Sequence, residues 1–143
     1  MTTRTEAHRR IEADPTSTAL LLAGPTALDL WPGVRRVAEV GGRVLIEVTG
    51  PAPTAASVTA RPPRRTPTAF VSRFAWSGPA LPVTEGVLTL TYGPGEGMPT
   101  TLAELVLDSE GLAASQLDEA DLARMAEQFL ANLARAAEDR RAA

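Results

Sequence analysis

Arg9 is the residue whose position asks most directly for chemistry. Residues 4 to 13 alternate, with Glu6, His8, Arg10 and Glu12 on one face and Ala7, Arg9, Ile11 and Ala13 on the other, the pattern of a half-buried strand. Arg9 thus stands on the apolar face, where a guanidinium needs an acid partner or a ligand anion to offset its desolvation. Two bland alternatives stay open: a parity shift near the chain end, or pairing with a Glu. Tyr92 shares a face with Leu88 and Leu90, so its phenol is a candidate hydrogen-bond donor or general acid, against a core tyrosine with its hydroxyl at the rim. Ser72 lies between Phe70 and Phe74 on what reads as an inner face, where a hydroxyl could orient a ligand carbonyl. It has no base for nucleophilic work, since the only histidine, His8, is on the opposite parity of its strand. Arg9, Tyr92 and Ser72 are the candidate catalytic residues. Trp31, Phe70, Phe74, Trp76, Met125 and Phe129 are the candidate ligand wall, and plain core is the competing explanation for each.

Other polar clusters carry less. Glu104 and Asp108 share a face with Leu102 and Val106, while Ala103, Leu105 and Leu107 form the more apolar set, so the two acids read as solvated. Arg61, Arg64 and Arg65 form a basic cluster that could meet a phosphopantetheine arm or an acidic carrier protein, with a solvated loop as the commoner explanation. Gly93-Pro94-Gly95-Glu96-Gly97 is Gly-rich but joins two strands instead of opening a helix. The phosphate-cradle reading therefore fails, leaving a turn or a lid beside a cavity mouth.

Composition narrows the classes. The chain has 143 residues, 44% hydrophobic and 22% charged, which suits one globular domain over 1–143 with a real core. A net charge of −3 gives no global attraction to nucleic acid or anionic membranes. All 14 basic residues are Arg, the skew a GC-rich coding sequence produces. The absence of cysteine excludes a disulfide framework, a thiol nucleophile and Cys-ligated metal, and one histidine cannot build a multi-histidine site. No cofactor or metal is called for. No stretch approaches a membrane span, and the polar Met1 to Arg10 has no signal core behind it, so the expectation is a cytoplasmic protein without membrane insertion.

The elements that must position these residues centre on the last stretch, Asp118 to about Arg141. Leu122, Met125, Phe129, Leu133 and Ala136, joined by Ala126, Leu130 and Ala137, recur at helical spacing. Asp118 is placed as N-cap, with Glu119 and Asp121 at the positive end and Arg140 and Arg141 at the negative end. Upstream, Asp14-Pro15 reads as a helix start, Gly24-Pro25 as its end, and Thr26 to Trp31 as a second short helical piece. Val34 to Val40, Gly41-Gly42 and Arg43 to Thr49 form a hairpin. Five prolines between 51 and 67 leave room only for a brief edge strand around Ser57 to Arg61. Thr68 to Trp76 is a strand, residues 77 to 84 a loop, and Gly86 to Tyr92 with Thr100 to Asp108 the last strand pair. The sum is α+β: one curved antiparallel sheet of about seven strands wrapped around a long C-terminal helix, with two short helices between the first two strands.

That element order, the Asp14-Pro15 entry and the stretch Asp29-Leu30-Trp31-Pro32-Gly33-Val34 resemble the START/Bet v1-like helix-grip superfamily (SRPBCC), in particular its bacterial polyketide cyclase/dehydrase and lipid-transport members. The resemblance implies a deep cavity between helix and sheet that holds a hydrophobic small molecule. The first hypothesis is a polyketide cyclase/dehydratase-like protein acting by shape and by hydrogen bonds from Arg9, Tyr92 or Ser72. The second is a non-catalytic carrier or sensor of a lipid or other hydrophobic ligand. A third, an interaction module using the outer sheet face, has no specific support. Expected partners are the hydrophobic ligand and an acyl carrier protein, with a monomer or homodimer as the assembly.

Overall fold

The computed structural model describes residues 2–49, 53–93, 97–112, 115 and 117–142. In chain order its elements are β1 (Thr2–Ile11), α1 (Pro15–Leu20), a 3-10 turn (Pro25–Leu30), β2 (Val34–Val40), β3 (Arg43–Val48), β4 (Thr54–Ala60), β5 (Arg64–Arg65), β6 (Ala69–Gly78), β7 (Leu81–Tyr92), β8 (Thr101–Glu110) and α2 (Glu119–Ala142). All strand pairs are antiparallel, in the order β1-β8-β7-β6-β4-β3-β2, with β5 attached to β6 off that path. The expected helix-grip layout is the observed one, with eight strands in place of the expected seven or so.

Local chemistry explains the boundaries. Gly41 (φ 58°) and Gly42 (φ 78°) both occupy the left-handed region that a two-residue hairpin turn of this hand demands. Asp14 caps α1 by accepting the Ser17 N–H at 3.4 Å. The second helical piece is a 3-10 turn, and β1 starts and ends two residues earlier than the 4–13 alternation suggests. Ala13 remains buried beyond the strand, its carbonyl accepting the Thr101 hydroxyl at 2.6 Å.

Two expectations about the sheet need correction. The strand near Ser57 to Arg61 is not an edge: it begins at Thr54 and is paired by β3 on one side and β6 on the other. Pro53 lies before it and Pro62 and Pro63 after it, so none removes a ladder bond. The loop expected over residues 77 to 84 is mostly strand, since β6 runs to Gly78 and β7 starts at Leu81. Pro82 is tolerated in β7 because it falls within the irregularity between Trp76 and Gly78 on one side and ahead of the β8 pairing, which begins at Val83, on the other. Residues 94–96 of the Gly-rich turn lie outside the described residues.

Helix α2 lies on the concave face, packed chiefly along β1. Asp118 and Asp121 form a reciprocal cap: the Asp121 N–H donates to Asp118 Oδ1 at 2.8 Å, and the Asp118 N–H donates to Asp121 Oδ2 at 2.9 Å. Leu122, Phe129, Leu130 and Leu133 are each at most 2% exposed, which contributes roughly 8 kcal/mol before entropy at about 2 kcal/mol each. Opposite them, Leu88, Leu90, Leu105 and Leu107 form the sheet side of the core. Two polar ties fix the helix: Asn132 Nδ2 donates to the Leu30 carbonyl at 2.7 Å, and Glu138 accepts the Glu12 N–H at 2.9 Å. Among the described residues no helix is long and apolar enough to cross a membrane.

Candidate functional site: an aromatic-walled cavity

Where α2 stands off from the sheet beneath the 3-10 turn, a cavity of about 230 Å³ remains. Its walls come from the turn (Leu28, Trp31), the hairpin and β4 (Ile46, Val48, Val58), β6 and β7 (Ser72, Phe74, Trp76, Leu88) and the helix (Met125, Phe129). The Trp31 ring is the hub. It stacks on Phe129 with centroids 4.3 Å apart and meets Trp76 and Phe74 edge-on at 5.2 and 5.7 Å. Phe74 and Trp76, two residues apart on β6 and hence on one face, stack at 5.7 Å.

Gly86 on β7 sets where the Phe74 ring lies. The two are directly paired across β6 and β7, and a Cβ at Gly86 would stand 2.1 Å from the ring's Cζ. Only glycine lets the phenyl occupy this place over the neighbouring strand.

The polar groups on this wall are few. Ser72 is buried at 9% exposure and lines the cavity, and among the described residues its hydroxyl has no hydrogen-bond partner. Its donor and acceptor capacity is therefore left for whatever occupies the cavity. Glu39 and Arg61 stand at the cavity's edge, both exposed. Sequence reasoning misses Glu39, because simple alternation from Val34 puts it on the outer face. A register shift between Arg36 and Ala38 turns it inward opposite Val44, and nothing in the sequence marks that bulge. In the sequence Arg61 stands out only as part of a basic cluster; its place directly after the Val58-Thr59-Ala60 alternation is the available signal.

Five of the six expected wall residues, Trp31, Phe74, Trp76, Met125 and Phe129, meet at this cavity with Ser72. Phe70 is half-buried against the core and does not line it. Tyr92 keeps the parity of Leu88 and Leu90 but is 59% exposed and outside the lining. Strand β6 begins at Ala69 opposite Thr91, so no β6 residue pairs with Tyr92. Arg9 is exposed although Ala7 and Ile11, on the same face, are buried. It lines a separate groove beside α2, with Pro32, Thr49, Asp121, Arg124 and Gln128 among its neighbours. No carboxylate pairs with it among the described residues. His8 sits on the outer face, 3.9 Å from Glu104, remote from Ser72's wall.

No protein-family model and no curated protein matches this sequence. Solved structures do match in shape. The chain superposes on a conserved protein from Geobacillus kaustophilus with a TM-score of 0.68 at 10% identity, covering 96% of each chain. It superposes on the Zhui aromatase/cyclase from Streptomyces sp. R1128 with a TM-score of 0.64 at 18% identity, covering 98% of this chain and 96% of that one. A third, TTHA0849 from Thermus thermophilus, gives 0.59 at 18% identity over 93% and 95%. At these identities the likeness is one of fold. An open antiparallel sheet gripping a long terminal helix, matched over nearly the whole chain by these solved structures, is the Bet v1-like helix-grip fold, and that is the fold of this chain.

Proposed function

We propose that this protein binds a hydrophobic, oxygen-bearing small molecule of polyketide- or lipid-like chemistry in the cavity, and acts on it as a cyclase/dehydratase-like protein. The observation that carries the reading is the unpartnered Ser72 hydroxyl set in a wall of Trp31, Phe74, Trp76 and Phe129. Such a wall favours a planar apolar body, and the hydroxyl suits one carbonyl or hydroxyl on it. The fold shared with the Zhui aromatase/cyclase supports the class of ligand. Catalysis here would be positional: Ser72 orients a carbonyl, Glu39 at the edge is the group that can take and return a proton, and Arg61, permanently protonated, stabilises negative charge on an oxygen. Arg9 and Tyr92, away from this space, have no part in that step. Arg64 and Arg65, exposed on β5 just past Arg61, are where an acidic acyl carrier protein would dock, with the cytoplasm as the place of action.

The apolar character of the remaining wall favours a second reading, a carrier or sensor that binds the same molecule without changing it. Native mass spectrometry of protein purified gently from its own source separates the readings. A bound mass with the composition of a cyclised aromatic supports the first, and an acyl chain the second. With a substrate in hand, Ser72→Ala should lower turnover by about tenfold or more while the protein still binds, which is the loss of one oriented hydrogen bond. Unchanged turnover would remove Ser72 from the mechanism.

A further inference from the structure

The cavity and the Arg9 groove adjoin, with three lining side chains in common. Val48, Leu117 and Met125 line the cavity on one side and the groove on the other. Met125 is half-buried, and an unbranched thioether with three rotatable bonds is the partition most easily moved. The two spaces differ in size and chemistry. The cavity, at about 230 Å³, lies below the roughly 300–1,000 Å³ usual for ligand pockets, whereas the groove offers about 850 Å³ and two guanidinium groups, Arg9 and Arg124. A chain-like ligand that fills the first must continue elsewhere.

We propose that the groove is the second half of the ligand site, and that it takes the carboxylate of an amphiphile whose apolar end lies in the cavity, with Arg9 as the residue that binds the carboxylate. The inference rests on the cavity being the ligand site. On β1, Arg4 and Arg10 are paired with Asp108 and Glu12 at 2.9 and 3.1 Å, while Arg9 is left without an acid among the described residues. Within the groove Asp121 is already committed, one oxygen to the Asp118 N–H at 2.9 Å and the other to Arg124. Thr49 is committed too, its hydroxyl donating to the Gly33 carbonyl at 2.8 Å. Glu127 is the remaining acid on this wall and is exposed to solvent. A single anionic end therefore has one unengaged partner in the groove, and a guanidinium binds a carboxylate through two parallel N–H donors.

Titrations of the whole chain with dodecanoate and with dodecanol, read by Trp31 and Trp76 emission, test this. Dodecanoate should bind about tenfold tighter or more, the effect of one charge-assisted contact. The preference should vanish in Arg9→Gln, with the dodecanol affinity kept, and persist in Arg10→Gln, which removes the same charge from the outer face of the same strand. Equal affinities in the parent protein, or a preference that survives Arg9→Gln, would overturn the proposal, as would one lost only in Arg61→Gln, which would place the anion at the cavity edge. If neither probe changes the emission, the cavity reading itself fails and this inference with it. Dodecanol binding without any preference for the acid defeats the groove alone.

Discussion

Replacing Gly86 by alanine should trade cavity for clash, and the size of the effect follows from the structure. The added Cβ would lie 2.1, 2.3 and 2.8 Å from three atoms of the Phe74 ring, so the ring must retreat by about 1.4 Å to reach an ordinary contact of roughly 3.5 Å. The sheet blocks one direction. The other leads into the cavity and toward Trp31 and Trp76, each with its centroid 5.7 Å from that of Phe74. A phenyl ring moved that far takes up part of the 230 Å³ present. Overpacking of this kind costs about 1–3 kcal/mol, more than the roughly 0.5–1 kcal/mol that alanine gains over glycine in a strand. The assay is a double-mutant cycle by denaturant unfolding with Gly86→Ala, Phe74→Ala and both together, alongside titration with a bicyclic aromatic probe. Gly86→Ala should destabilise and weaken binding of the probe, and should become neutral or stabilising once Phe74 is alanine. Equal effects of Gly86→Ala in both backgrounds would refute the placement of the ring over Gly86.

Other consequences concern the frame of the site. The Thr5 hydroxyl is buried without a partner among the described residues, so Thr5→Val should raise stability by about 1 kcal/mol in thermal or urea unfolding. Asn132→Ala removes the 2.7 Å bond that ties the 3-10 turn to α2; it should cost about 1 kcal/mol and shift the emission of Trp31, which follows that turn. The N–H of Asp118, with Arg124 adding to it, holds the Asp121 carboxyl below its ordinary value of 3.8. A depressed folded-state pKa contributes stability that is complete above 3.8 and lost as pH falls through the lower folded value. Asp121→Asn should therefore flatten the acid limb of the stability profile below about pH 4 and leave its slope near neutrality unchanged.

The readable parts of this molecule are those where one physical period dominates. Ala103, Leu105 and Leu107 against Glu104 and Asp108, and Phe70, Ser72, Phe74 and Trp76 in one row, reveal the faces of β8 and β6 directly, because side chains on a regularly paired strand alternate. The helix and its Asp118 cap are equally plain. What stays hidden depends on where neighbouring elements start and stop. Tyr92 and Arg9 have the parity expected of them, yet each lies where cover runs out, and no residue in the sequence marks that point. The bulge in β2 re-aims Glu39 for the same reason: it is a feature of the pairing, not of either strand alone. Prolines mislead about β4 because their count in the segment says less than their positions: Pro53, Pro62, Pro63 and Pro67, the described ones, lie outside the paired residues.

Binding in the space beside Trp31 underlies both proposed activities and the two-part site. Val58 is 2% exposed and forms part of its wall, so Val58→Phe fills the cavity from the sheet side while keeping the strand apolar. A titration of Trp31 and Trp76 emission with a bicyclic aromatic probe, run on the parent chain and on Val58→Phe, is the most direct measurement. A saturable one-site change in the parent that is lost in a folded Val58→Phe is the result expected. No saturable change, or the same affinity in both proteins, would contradict the account.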